Sequence, residues 1–274
     1  MTETQMSTYW EYLKSWTEDL RVLIQKATIE SMGIWCFIYM TFYAYLDLFI
    51  LGGVSHLNAQ EHAFSKLTCG AIKTAELAGA IFNHKNDKIG HYDIFCFWWW
   101  QHVGVPFTIP DVSNNQFQSF CDAAAALILY LDDFLAILES LHANKHNSTL
   151  NHMETNLKNA LECSKTRSKL AVLAITTEAI SYPYMKAICT SSDKNQNMLD
   201  LGPLHSKVYD HIQKIIADPN ILIDADADYR TATLNGEEWE NSAVVAKILE
   251  LAPELPYFHE LLVAFLSGAL ETWE

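Results

Sequence analysis

From Phe117 to His142 the chain passes through twenty-six residues without a glycine or a proline. Nothing there offers a turn, while Leu127, Leu131, Phe134, Leu138 and Leu141 recur at the three- and four-residue steps of a helix. The stretch therefore predicts one long apolar helix. The whole chain has the same habit, with 10 Gly and 7 Pro in 274 residues. A β-rich fold needs more turn formers than that, so the reading is all-α. Half of the residues are apolar and 19% are charged, which excludes extensive disorder and supplies a sizeable core.

The remaining segments fit the same scheme. Residues 7–30 place Trp10, Leu13, Trp16, Leu20, Leu23 and Ile24 on one helical face. Residues 33–52 are almost uncharged and stop at Gly52-Gly53; residues 58–84 carry Leu67, Ile72, Leu77 and Ile81 on an apolar side. A polar break over 83–91 leads into the aromatic run Phe95, Phe97, Trp98, Trp99 and Trp100, which is read as core. Further helices are expected at 153–178, 203–217, 240–252 and 257–273, with an irregular acidic stretch before the last two. No repeat and no linker divides the chain, so 1–274 is read as a single helical domain.

Charge and cysteine usage narrow the partners. A formal net charge of −15 leaves no basic stripe for a nucleic acid. Six scattered cysteines without C-x-x-C spacing point to free thiols in a reducing, cytoplasmic setting. The N-terminus lacks the basic start and apolar core of a secretory signal. Residues 33–54 are long enough to cross a bilayer, but their one acid, their tyrosines and their weakly basic flanks favour a core helix over a membrane span.

The feature that asks for an explanation is the pair Asp132-Asp133 inside "LYLDDFLAILESLH". Adjacent buried carboxylates are costly unless something positive lies against them. One candidate is a metal. Asp132, Glu139, His142 and His146 would share one side of a continuous helix, and Glu139-x-x-His142 has the carboxylate–imidazole spacing of di-iron bundles. No second Glu-x-x-His is present to complete such a centre. Asp224, Asp226 and Asp228 imitate half of a calcium loop without its glycine or its closing glutamate, so a solvated acidic turn is the better reading. A second candidate is Mg²⁺ held by the aspartates, which in turn grips a diphosphate beside an apolar aromatic pocket.

Two segments carry a family resemblance. "IPDVSNNQFQSFCDAAAALILYLDDFLAILES" and "DADADYRTATLNGEEWENSAVVAKILELAPELPYFHELL" resemble, in order and spacing, the class I terpene synthases, especially the microbial and fungal sesquiterpene-cyclase type. Asp132 and Arg230 lie 98 residues apart, near that family's usual interval. The resemblance covers residues 95–274, whereas 1–90 match only as generic helices. It implies an all-α bundle of the class I terpenoid synthase type and a lyase activity: Mg²⁺-dependent ionisation and cyclisation of a prenyl diphosphate, farnesyl diphosphate first. By that resemblance Asp132 is the principal metal ligand and a catalytic residue, with Asp133 and Glu139 as further Mg²⁺ ligands. Arg230 would sense the diphosphate as a catalytic and substrate-binding residue, and Tyr229 would bind substrate beside it. Phe134 to Leu138 are apolar where the family has a further acid, Thr233 and Leu234 stand where a polar-then-Gly pair is expected, and the second metal motif would begin just past Glu274. A truncated or inactive form is therefore also expected. The alternatives are a non-catalytic helical binding protein, a pseudoenzyme on the same bundle, and a di-iron helical oxygenase.

Overall fold

A computed structural model describes residues 70–83, 91–110, 112, 118–144, 150–189 and 201–273 of the chain. The helices expected at 7–30 and 33–52 lie outside the described residues. Among the described residues every regular element is helical, as the scarcity of turn formers implies. None of these helices is long and apolar enough to cross a membrane.

The α-helices in chain order are α1 (Ala71–Phe82), α2 (Tyr92–His102), α3 (Ser119–Leu129), α4 (Leu131–Asn144), α5 (His152–Glu162), α6 (Ser164–Thr176), α7 (Tyr182–Cys189), α8 (Gly202–Ala217), α9 (Asn220–Ile223), α10 (Tyr229–Ala232), α11 (Ser242–Leu251) and α12 (Phe258–Trp273). A π-helical turn, Thr177–Ser181, joins α6 to α7, and a 3₁₀ turn, Ala252–Glu254, follows α11.

Helix α6 is the centre of the packing. Leu170, Ala171, Val172, Leu173, Ala174 and Ile175 are all fully buried, so the helix is covered on every side there. It packs against α1, α3, α5, α11 and α12, and α8 packs on the outer side of α12. Alanines let these axes come close: α3 brings Ala123, Ala124, Ala125 and Ala126, all buried. The Ser168 hydroxyl donates to Pro256 O at 2.8 Å and fastens the turn before α12 onto this centre.

Two expected long helices are each split. The 117–142 helix breaks at Tyr130, whose φ −110° and ψ 33° are outside the helical range, so α3 ends and α4 begins one residue apart. Residues 153–178 divide at Cys163, which is extended at φ −75° and ψ 114°. Neither break is marked by glycine or proline; packing imposes it. Helix α5 starts with a complete capping box, in which Asn151 accepts from the Glu154 N–H and Glu154 accepts from the Asn151 N–H. Glu154 is fully buried and also meets His91 Nε2 at 2.7 Å, so it ties α5 to the start of α2.

The π turn has a local cause. The Thr176 and Thr177 hydroxyls donate back to Val172 O and Leu173 O, a habit that loosens a helix. Pro183 then lacks the N–H that would close on the carbonyl of Ala179. That carbonyl accepts instead from the Leu234 N–H at 2.8 Å. A proline inside α7 thus creates the docking point for the segment that follows α10.

The aromatic run divides between core and surface. Phe95 and Trp99 are fully buried, as expected, whereas Phe97 and Trp100 are exposed. The buried pair joins Phe82, Phe107, Tyr130 and Phe134 in one cluster, with ring centroids 4.7 Å apart for Trp99–Phe107 and 4.8 Å for Phe82–Phe95. Phe134 lies within ring contact of Phe82, Phe95, Trp99 and Phe107. Phe134→Ala should therefore cost about 3–5 kcal/mol by urea unfolding, from lost burial and the cavity it leaves. Glu139→Ala, on the solvent side of the same helix, should change stability by less than about 0.5 kcal/mol.

Candidate functional site

The break at Tyr130 decides where the two aspartates go. They do not interrupt a helix; they occupy the first turn of α4. There the unpaired N–H groups and the positive end of the helix favour negative charge. Asp132 projects into solvent, its side chain 86% exposed, and its carboxylate lies 3.8 Å from the Nζ of Lys247 on α11, which is 20% exposed. Lys247 also meets Glu250 at 3.1 Å. Asp133 is half-buried. Burial pushes its carboxyl pKa above the ordinary value and the charge of Asp132 adds to that, while His102 acts against it. His102, at the end of α2, stacks on Trp98 with ring centroids 4.2 Å apart and places Nδ1 2.8 Å from Trp98 O. Among the described residues the basic side chains beside the pair are thus Lys247 and His102.

The other residues implied by the resemblance are placed elsewhere. Glu139 is 67% exposed, two turns along α4, with Oε1 3.5 Å from Lys158 of α5. His142 is exposed, and His146 lies outside the described residues. Arg230 is 71% exposed and pairs with Asp228 at 3.6 Å, its guanidinium 5.2 Å from the ring centroid of Tyr229. Asp228 caps α10 by accepting from the Arg230 N–H, and Asp224 and Asp226 are exposed, as expected for an acidic turn. Asp132 and Asp133 share a turn, but neither Glu139 nor Arg230 is drawn to them by a described contact.

Mg²⁺ commonly takes one or two carboxylates, with substrate phosphates and water completing the shell. Asp132 and Asp133 could supply that minimum. Glu139 does not join them, and among the described residues no three His, Cys, Asp or Glu side chains gather closely enough to hold a metal ion. The aromatic cluster below the pair is ring against ring, and Phe95, Trp99 and Phe134 have no exposed surface.

A second polar group, absent from the sequence reading, lies inside the bundle. Glu178 of the π turn is 1% exposed; Oε2 accepts from the Asn241 N–H at 2.9 Å, and Oε1 is buried without a hydrogen-bond partner. Burial chiefly drives its pKa up to about 7, with the charges of Glu240 and Asp122 adding to the rise. Asp122, on the first turn of α3, accepts from the Tyr182 hydroxyl at 2.7 Å. Burial raises the Asp122 carboxyl and raises the Tyr182 phenol further, beyond the range in which it ionises in water. The one signal for this cluster in the sequence is Pro183 within a helical run, since it forces the backbone irregularity that Glu178 occupies.

No family model, no curated protein and no solved structure matches the chain.

The two clusters should respond differently to mutation. A double-mutant cycle with Asp132→Ala and Lys247→Ala should give a coupling below about 1 kcal/mol that shrinks with added salt, because the pair is solvated. Tyr182→Phe leaves Asp122 without its donor in a half-buried site and should cost about 1–2 kcal/mol, insensitive to salt. Urea unfolding at low and high ionic strength measures both.

Proposed function

We propose that this chain is a helical binding protein of terpene-synthase-like make-up, a pseudoenzyme rather than an active cyclase. The observation that carries this reading is the partner of Asp132. Its carboxylate faces Lys247, a cation supplied by the protein itself, while Glu139 and Arg230 are each engaged in separate local pairs with Lys158 and Asp228. Of the groups that the resemblance assigns to one diphosphate centre, Glu139 and Arg230 are exposed side chains with other ion-pair partners. An exposed carboxylate beside a lysine is stable without a metal, so the question raised by the aspartate pair has an internal answer.

The competing reading is the Mg²⁺-dependent ionisation and cyclisation of a prenyl diphosphate that the resemblance implies. What favours it is the arrangement at one end of the aromatic cluster, where Asp132 and Asp133 could take the metal and Lys247 and His102 lie beside them. The di-iron reading has less support, since Glu139 turns to Lys158 and His142 faces solvent.

One assay separates these. The chain is incubated with geranyl, farnesyl and geranylgeranyl diphosphates and Mg²⁺, and released diphosphate and volatile products are measured. The binding-protein reading expects neither. Mg²⁺-dependent release that disappears in Asp132→Asn would replace it with the cyclase reading.

A further inference from the structure

Two backbone N–H groups after α10 donate to residues of the π turn. The Leu234 N–H donates to Ala179 O at 2.8 Å, the carbonyl left open by Pro183. The Asn241 N–H, just before α11, donates to Glu178 Oε2 at 2.9 Å. Between them Trp239 is half-buried and packs against the core. Thr233 Oγ1 donates to Tyr229 O and Glu237 O, and Glu237 pairs with Lys186 of α7 at the surface. Of these ties, the one through Glu178 is the only one that uses a buried ionisable group.

The surroundings of Glu178 suit its neutral form. With Oε2 occupied as an acceptor, the proton of the neutral acid belongs on Oε1, the oxygen without a partner. The charged groups that act on it are acidic: Asp122 from α3 and Glu240 from the segment itself, with the Tyr182 phenol of α7 already committed to Asp122. Ionising Glu178 would place a buried negative charge beside two other acids, a cost that the backbone N–H groups of Glu240 and Asn241 offset in part.

We propose that Glu178 is a proton-controlled latch: its neutral carboxyl seats residues 234–241 and the start of α11 on the π turn, and its ionisation releases them. Asp122 and Glu240 set the strength of the latch, and Pro183 supplies its fixed point by leaving Ala179 O for Leu234. Release acts on α11, the helix that holds Lys247 against Asp132, so the charge state of an interior acid reaches the surface pair. The inference does not depend on which ligand the protein binds.

The direction in pH follows from the raised pKa. The folded state holds the proton more tightly than the unfolded chain, so the stabilisation is complete below the ordinary value of 4.5 and is lost as pH rises through about 7. Hydrogen exchange over residues 233–245, corrected for the intrinsic rate, tests this. Protection should fall roughly tenfold between about pH 6 and about pH 8 in the native sequence. Glu178→Gln retains an oxygen acceptor for Asn241 without the charge, and its protection should stay level over the same range. Asp122→Asn removes one repelling charge and should move the midpoint to lower, more ordinary values, whereas an unmoved midpoint would assign the transition to another group and overturn the latch. Level protection in the native sequence, or an equal fall in Glu178→Gln, overturns the latch. A simultaneous loss of protection over residues 170–175 would overturn it too, since the event would then be global unfolding.

Discussion

The fold depends on one helix having no outside. Over Leu170–Ile175, α6 is buried all round, so it has no face to give to water and no position for a charge. Each helix against it must bring an apolar surface, and the buried alanines of α3 allow a close approach. The same condition governs where irregular backbone can occur. A break in α6 would strand polar groups in the core, and each would need a partner. The break does come, at the π turn, where the carbonyl of Ala179 left open by Pro183 and the carboxyl of Glu178 are met by N–H groups from a segment more than fifty residues away in sequence.

That arrangement shows why an exposed charge pair and a buried acid have such different consequences. Asp132 and Lys247 are close in space, but water screens them and the side chains surrender entropy to meet. Glu178 is held by backbone N–H groups at Glu240 and Asn241, where the dielectric is low and its charged neighbours carry the same sign. The first contact can be lost at little cost to the fold. The second cannot change its charge without moving something.

The all-α class and several helix positions were legible in the sequence, because they depend on local periodicity and on the scarcity of Gly and Pro. Residues 203–217 and 257–273 needed only their own spacing to be placed, and they correspond to α8 at Gly202–Ala217 and α12 at Phe258–Trp273. The breaks at Tyr130 and Cys163 were not legible, since no breaker residue marks either and the competing force is tertiary packing. That loss mattered for the candidate site. Moving the aspartates from mid-helix to a first turn changes their neighbours from apolar core to solvent, helix dipole and a lysine from α11. Arg230 illustrates the same limit: its separation from Asp132 along the chain was readable, but not whether the two meet in space. Of the aromatic run, Phe95 and Trp99 follow the core expectation and Phe97 and Trp100 do not, because hydrophobicity alone carries no direction when every side of a helix is apolar.

Pro183 is the residue through which local chemistry becomes long-range structure. In a regular helix its missing N–H would leave one carbonyl unsatisfied, a defect that water repairs at a surface. Here the carbonyl belongs to Ala179, which is fully buried, so repair has to come from protein. The backbone of Leu234 provides it, and in doing so fixes where the segment between α10 and α11 must lie. Once that segment is in place, Asn241 reaches Glu178, and α11 emerges in the direction that brings Lys247 to Asp132. The surface charge pair that first drew attention is in this sense downstream of a proline in the core. A change at Pro183 that restored the N–H would compete with Leu234 for the same carbonyl, and the positions of α11 and Lys247 would follow from which donor prevailed.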